Sequence, residues 1–189
     1  MTTQRPSKTL WLQGVLLALA CAHSTAHAGG HLGWTVRADL EGGGDTVGTV
    51  FFTDGSTQSI KTGQGVGLSV GGHYRPEASK FDFSGAVGFK YVTTKADNAN
   101  INLNRAVVDL RADYYLTDDW WIGAGPVFHS SIKLDADGYG PNQNFGSATG
   151  VAALVAWKFV ALKYTAITYK SLGQKYDASS VGLSFIGKF

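Results

Sequence analysis

From residue 30 to the end of the chain, apolar side chains alternate with small or polar ones at period two. The pattern recurs in eight stretches of about ten residues, parted by turn-forming residues. No helical periodicity interrupts it. The first stretch sets Leu32, Trp34, Val36, Ala38 and Leu40 against Gly33, Thr35, Arg37, Asp39 and Glu41. The fourth sets Ala106, Val108, Leu110, Ala112 and Tyr114 against Arg105, Asp109, Arg111 and Asp113. The fifth sets Trp120, Ile122, Ala124, Pro126, Phe128 and Ile132 against Gly123, Gly125, His129, Ser131 and Lys133. Successive side chains on a strand point to opposite faces, so every strand has one apolar face and one polar face.

Two eight-stranded architectures use such strands. A soluble up-and-down barrel turns its apolar faces inward and its charges to water. A membrane barrel does the reverse, with an apolar belt toward lipid and a polar lumen. Here the polar faces are crowded with Gly, Ala and Ser, which suits a narrow interior. The apolar faces carry Trp34, Tyr74, Phe81, Tyr114, Trp120 and Trp157 near the ends of their stretches, as interfacial girdles do. Charged residues make up only 16% of the chain, against about 25% in ordinary soluble domains. The expected fold is therefore all-β: an eight-stranded antiparallel transmembrane up-and-down barrel.

Residues 1–28 follow another logic. Arg5 and Lys8 precede an apolar run from Leu10 to Cys21, and Ala26-His27-Ala28 supplies small residues at the −3 and −1 positions. This reads as a secretory signal peptide cleaved after Ala28, leaving 29–189 as one barrel domain. Cleavage removes the single Cys and two basic residues, so the mature chain is thiol-free and has fourteen basic against fourteen acidic residues. An exported chain without thiols forms no disulfide framework. A balanced charge also argues against nucleic acid as a partner.

Connections alternate short and long. Short ones fall at 76–79, 117–119 and near 158–160; longer ones fall at 42–63, 94–102, 135–147 and 171–177. Short periplasmic turns and long extracellular loops give this rhythm, and it puts both termini in the periplasm. Asp54-Gly55 reads as the turn of a hairpin projecting outside the membrane. Were it a periplasmic turn instead, the barrel would have ten strands.

The signal peptide, the alternating stretches and a last strand ending in Phe189 together resemble small, OmpA-type bacterial outer-membrane β-barrel proteins of the porin-like superfamily. That resemblance implies that Val181, Leu183, Phe185 and Phe189 form the C-terminal signal read by the barrel-assembly machinery during insertion. It implies an outer-membrane location in a Gram-negative cell envelope, with outer-membrane lipids and lipopolysaccharide as neighbours. It specifies architecture and no activity.

The inward faces carry Arg37, Asp39, Glu41, Arg75, Asp82, Lys90, Arg105, Asp109, Arg111, Asp113, Lys133 and Lys163, seven basic and five acidic residues. In a narrow interior such charges must pair, because an unpaired buried ion costs several kcal/mol. The expected lumen is a polar plug of ion pairs, and the expected role is structural or surface-interacting through the extracellular loops, whose ligand is unknown. The alternative is a narrow ion or small-solute channel.

A further alternative is enzymatic. His129-Ser130-Ser131 contains His-x-Ser, which resembles the general base and nucleophile of outer-membrane lipid A 3-O-deacylases. In that family the motif lies near the C-terminus on the lipid-facing side. Here it falls on the lumen face of the fifth stretch; no Glu follows, and only Asp135 and Asp137 are near. The expectation is no enzyme, no catalytic residue and no cofactor. His31, His73 and His129 show no metal-site spacing, and the Asp135-Ala136-Asp137-Gly138 run lacks the acidic last ligand of a calcium loop. Gly63, Gly65 and Gly67 lie within a strand pattern rather than before a helix, so they form no nucleotide loop.

Overall fold

A computed structural model describes residues 29–52, 54–96, 99–136 and 142–189, almost entirely as strands. The signal-peptide segment lies outside the described residues. Eight strands form the wall: β1 (Gly30–Gly42), β4 (Gly65–Pro76), β5 (Phe81–Ala96), β6 (Ala99–Tyr115), β7 (Trp120–Asp135), β9 (Ala148–Trp157), β10 (Val160–Ala166) and β13 (Ser180–Lys188). Each pairs antiparallel with its neighbour in this order. The first and last then pair with each other, from Thr35↔Lys188 to Gly42↔Val181. The sheet is closed. Through the body of the barrel every wall strand is paired on both sides, leaving no edge there to invite another chain.

The shorter strands lie at one end. β2 (Thr46–Phe51) and β3 (Thr57–Lys61) form a hairpin that pairs only with itself. Its tip follows from local chemistry: Gly55 adopts φ +83°, and the Asp54 carboxylate accepts bonds from the Ser56 amide and hydroxyl. Those bonds hold the exposed Asp54 carboxyl below the usual carboxylate range. Asp54-Gly55 is thus the tip of a projecting hairpin, and the ten-strand alternative is excluded. β11 (Thr168–Ser171) and β12 (Gln174–Asp177) form a second hairpin, turning through Leu172 and Gly173 at φ +50° and +80°. β8 (Gln143–Phe145) adds to the end of β7.

The expected short connections at 76–79, 117–119 and near 158–160 lie at the opposite end, with Gly29 and Phe189. Two expected loops are corrected. Residues 94–96 and 99–102 continue the wall, since β5 and β6 stay paired out to Ala96↔Ala99. Residues 171–177 belong mostly to the β11–β12 hairpin. In both places backbone pairing continues past the point where the apolar alternation on the outer face stops.

The outer face is apolar. Trp34 is 70% exposed, Val87 58%, Phe83 49% and Leu183 45%. At the turn end Trp34, Phe81, Trp120, Trp157 and Phe159 all stand exposed. Val181, Leu183, Phe185 and Phe189 join the same outer surface. Small inward residues let the wall curve tightly. A Cβ at Gly71 or Gly125 would run into the backbone carbonyls of Gly85 and Leu110 on the next strand.

Candidate functional site in the barrel lumen

Period two carries these charges inward from four wall strands, β1, β5, β6 and β10. Arg37, Glu41, Asp82, Lys90, Arg105, Asp109, Arg111, Asp113 and Lys163 are all buried, and Asp39 nearly so. They form three groups along the barrel. At mid-height Arg37 donates to Asp109, and its other Nη donates to the Ser84 hydroxyl at 2.8 Å. Arg111 lies 4.0 Å from the same Asp109 and donates through Nε to Asp113 at 2.5 Å.

Toward the turn end, Lys188 donates to Asp82 at 3.0 Å, Asp113 at 2.9 Å and the Tyr115 hydroxyl at 3.1 Å. Its ammonium also lies 4.5 Å from the centre of the Trp121 ring. His73 Nδ1 is 3.1 Å from the same Asp82 carboxylate. Arg75 is half-buried at this mouth, bonded to the Ser79 carbonyl at 3.1 Å and stacked 4.3 Å over the Tyr115 ring.

Toward the loop end, Glu41 pairs with Lys90, accepts from the Thr165 hydroxyl at 3.2 Å and lies 3.6 Å from Lys163. Lys163 reaches Asp39 at 3.4 Å. Lys90 also donates to the Gly63 carbonyl at 2.6 Å. Arg105 differs from the rest. It is 2% exposed and donates to the Gln64 carbonyl at 2.6 Å, but Nε and Nη1 have no hydrogen-bond partner among the described residues.

Apolar clusters bound the charges above and below. Trp121, Leu154, Ala156, Ala161 and Ile186 pack together in the turn half. At the loop end Val50, Ile60, Val92, Ile101, Leu103, Ile132, Leu134, Phe145 and Tyr169 pack into a larger cluster. The β2–β3 hairpin contributes Val50 and Ile60, which close over the barrel like a lid. Between the clusters lies a cavity of about 20 Å³, lined by Arg37, Glu41, Lys90, Asp109, His129 and Lys163 among others. That is room for roughly one water.

One expected lumen residue is misassigned. Lys133 is exposed on the outer side of β7, while Ile132 is buried. The cause is a β-bulge: Ser131 adopts φ +51°, and the pairing with β6 slips by one between Asn104↔Lys133 and Ala106↔Ser130. One extra residue reverses the facing of everything after it. The bulge also parts the His-x-Ser pair. His129 is buried, with Nδ1 2.6 Å from the Tyr169 hydroxyl, whereas Ser131 faces outward. Asp137, Gly138 and Gly140 lie outside the described residues. Among the described residues no three His, Cys, Asp or Glu side chains group as metal ligands.

Lys188, His73, Tyr115, Trp121 and Tyr169 belong to the lumen and were missing from the sequence-derived set. Lys188 shares the inward parity of Ser180 and Ser184, and Trp121 the parity opposite to Trp120, so the alternation already held the signal. Tyr169 lies beyond Ile167, where the outward pattern fails.

No protein-family model and no curated protein matches the sequence. Among solved structures, the barrel is similar to that of Ail, the attachment invasion locus protein of Yersinia pestis, in complex with the heparin analogue sucrose octasulfate. The two chains are 10% identical, with a TM-score of 0.44, and the match covers 84% of this chain and 99% of the other.

Proposed function

We propose that this chain is an integral outer-membrane protein of a Gram-negative bacterium: a self-plugged barrel that serves as a rigid scaffold for its loop-end hairpins. One observation carries the reading, the inverted polarity of the barrel, apolar outside and charged within. On β1 the outward set from Leu32 to Leu40 covers eight residue steps, about 27 Å along the strand. At a usual tilt of ~40° that is roughly 20 Å of height, close to the ~25 Å apolar band of such barrels. Water would not tolerate so continuous an apolar surface; lipid would. Both termini then face the periplasm and the hairpins face outward, with lipopolysaccharide around the loop end. The outward Val181, Leu183, Phe185 and Phe189 are the surface offered to the assembly machinery.

The ion pairs of the lumen, the two apolar clusters and the small cavity between them favour a plug over a channel. No catalytic role is proposed, because His129 and Ser131 stand on opposite faces of β7 and His129 is occupied by Tyr169. The test has two parts. Membrane-extracted protein should run faster on gels unheated than boiled, and recovery of soluble periplasmic protein without detergent overturns the membrane reading. In planar bilayers the folded protein should give no steady conductance. Discrete openings abolished by removing Arg105 or Arg111 would replace the plug with a channel.

A further inference from the structure

Processing after Ala28 would make Gly29-Gly30-His31 the first three residues of the mature chain. We propose that this terminus is a Cu(II)- or Ni(II)-binding site at the turn-end mouth of the barrel, with His73 as an additional nitrogen ligand. The inference rests on the export reading above.

The chemistry follows from the spacing. A free α-amine, the amide nitrogens of the second and third residues, and the imidazole of a third-residue His close three fused chelate rings around one metal. All four donors are nitrogens in one plane, the arrangement that Cu(II) and Ni(II) prefer and tetrahedral Zn(II) does not. Glycine in the first two positions puts no side chain in the way of that wrap. Three of the donors are backbone nitrogens, so the site needs no cluster of side-chain ligands.

The fold adds three observations. First, residues 29–33 have a sheet neighbour on one side only. β1 pairs with β4 from Gly30↔Pro76 onward, but with β13 only from Thr35↔Lys188, helped by mutual bonds between Trp34 and Phe189. Gly29, Gly30 and His31 are exposed, so peeling three residues leaves the closed wall intact.

Second, the fold brings together two histidines that lie far apart in sequence. The His31 and His73 rings are 5.7 Å apart, centre to centre. His73 is 6% exposed; Nδ1 faces the Asp82 carboxylate, and Nε2 has no hydrogen-bond partner among the described residues. A carboxylate on one ring nitrogen that leaves the other free is how proteins orient a metal-ligating His. A buried nitrogen without a partner otherwise calls for an explanation. Third, the Glu77 carboxylate lies against Gly29, adding negative charge where the cation would sit. The mature chain has no thiol to compete for Cu(II) or reduce it.

Binding would release the two amide protons and whatever proton the amine still carries, so uptake is itself measurable as acid release. The experiment uses detergent-extracted native protein, whose intact mass identifies its first residue. Added Cu(II) should bind at one equivalent, with the visible band and electron-spin resonance pattern of a four-nitrogen planar site. A tenfold excess of Zn(II) should not displace it.

Inserting one Gly before Gly29 moves His31 to fourth place, changes no other residue, and should abolish the band, as should His31→Ala. His73→Ala should keep the band but alter the resonance pattern; an unchanged pattern removes His73 from the site. Wild-type protein beginning at Gly29 that binds no Cu(II), or an insertion variant with an unchanged spectrum, overturns the proposal. A native protein that begins elsewhere overturns it through the processing step. Fractionation and gel mobility judge the membrane reading separately.

Discussion

Asp113 and Arg105 are both buried in the lumen, and physical chemistry expects opposite behaviour from them. The Asp113 carboxylate is shared by Arg111 and Lys188. Asp113→Ala takes one carboxylate from each cation, leaving Arg111 with Asp109 at 4.0 Å and Lys188 with Asp82 at 3.0 Å, and we expect a loss of about 3 kcal/mol. The measurement is the urea midpoint of unfolding from detergent micelles, and a shift worth less than ~1 kcal/mol would contradict the network. Among the described residues Arg105 makes no ion pair with a carboxylate; it donates to the Gln64 carbonyl and lies 5.9 Å from the centre of the Tyr169 ring. Its replacement by Met should cost no more than about 1 kcal/mol, and could stabilise, because an unpaired buried ion is relieved. The same midpoint assay decides: a large loss in Arg105→Met would mean that this guanidinium has a favourable partner.

Among the elements, β7 controls most with least. Its bulge at Ser131 turns Ile132 and Leu134 into the loop-end cluster and sends Lys133 out. A left-handed backbone suits Gly and opposes β-branched residues. Ser131→Val should therefore destabilise by about 1–2 kcal/mol, while Ser131→Gly should be neutral or slightly stabilising. Thermal unfolding followed by gel mobility would show the contrast, and equal transitions for both variants would deny strain at this position. The hairpins are tied at their bases. The Thr62 hydroxyl donates to the Asp177 carbonyl, and the Asp177 amide donates to the Asp45 carboxylate at 2.7 Å. These bonds join β3 to β12 across the loop end and hold Ile60 down over the apolar cluster.

For the whole molecule, the solvent of the outer wall decides what a surface charge costs. Val87 stands outward near the middle of β5, between Val70 and Val108. Val87→Arg should cost about 2–4 kcal/mol in a bilayer, as an arginine does at mid-depth on a lipid face. Refolding into lipid vesicles against urea measures this, and an insensitive midpoint would mean that this face does not meet lipid. The lumen works by the opposite rule, since its charges, Arg105 apart, pair with one another and are closed off by apolar clusters.

Alternation by itself determined the class of fold and which face of each wall strand is apolar. These are properties of single residues at period two, legible without any partner. The choice of eight strands over ten waited for the self-paired β2–β3 hairpin. Parity also explains why Arg37, Asp109 and Asp113 lie buried inside while Lys133, past the bulge, does not. Only the tertiary structure decided the rest. Pairing across the barrel chose Asp109 for Arg37, brought Lys188 to Asp82 and Asp113, and set His31 beside His73. The bulge at Ser131 was hidden for a related reason. An extra residue is defined by the neighbouring strand it fails to match, and a single strand read alone carries no record of its neighbour.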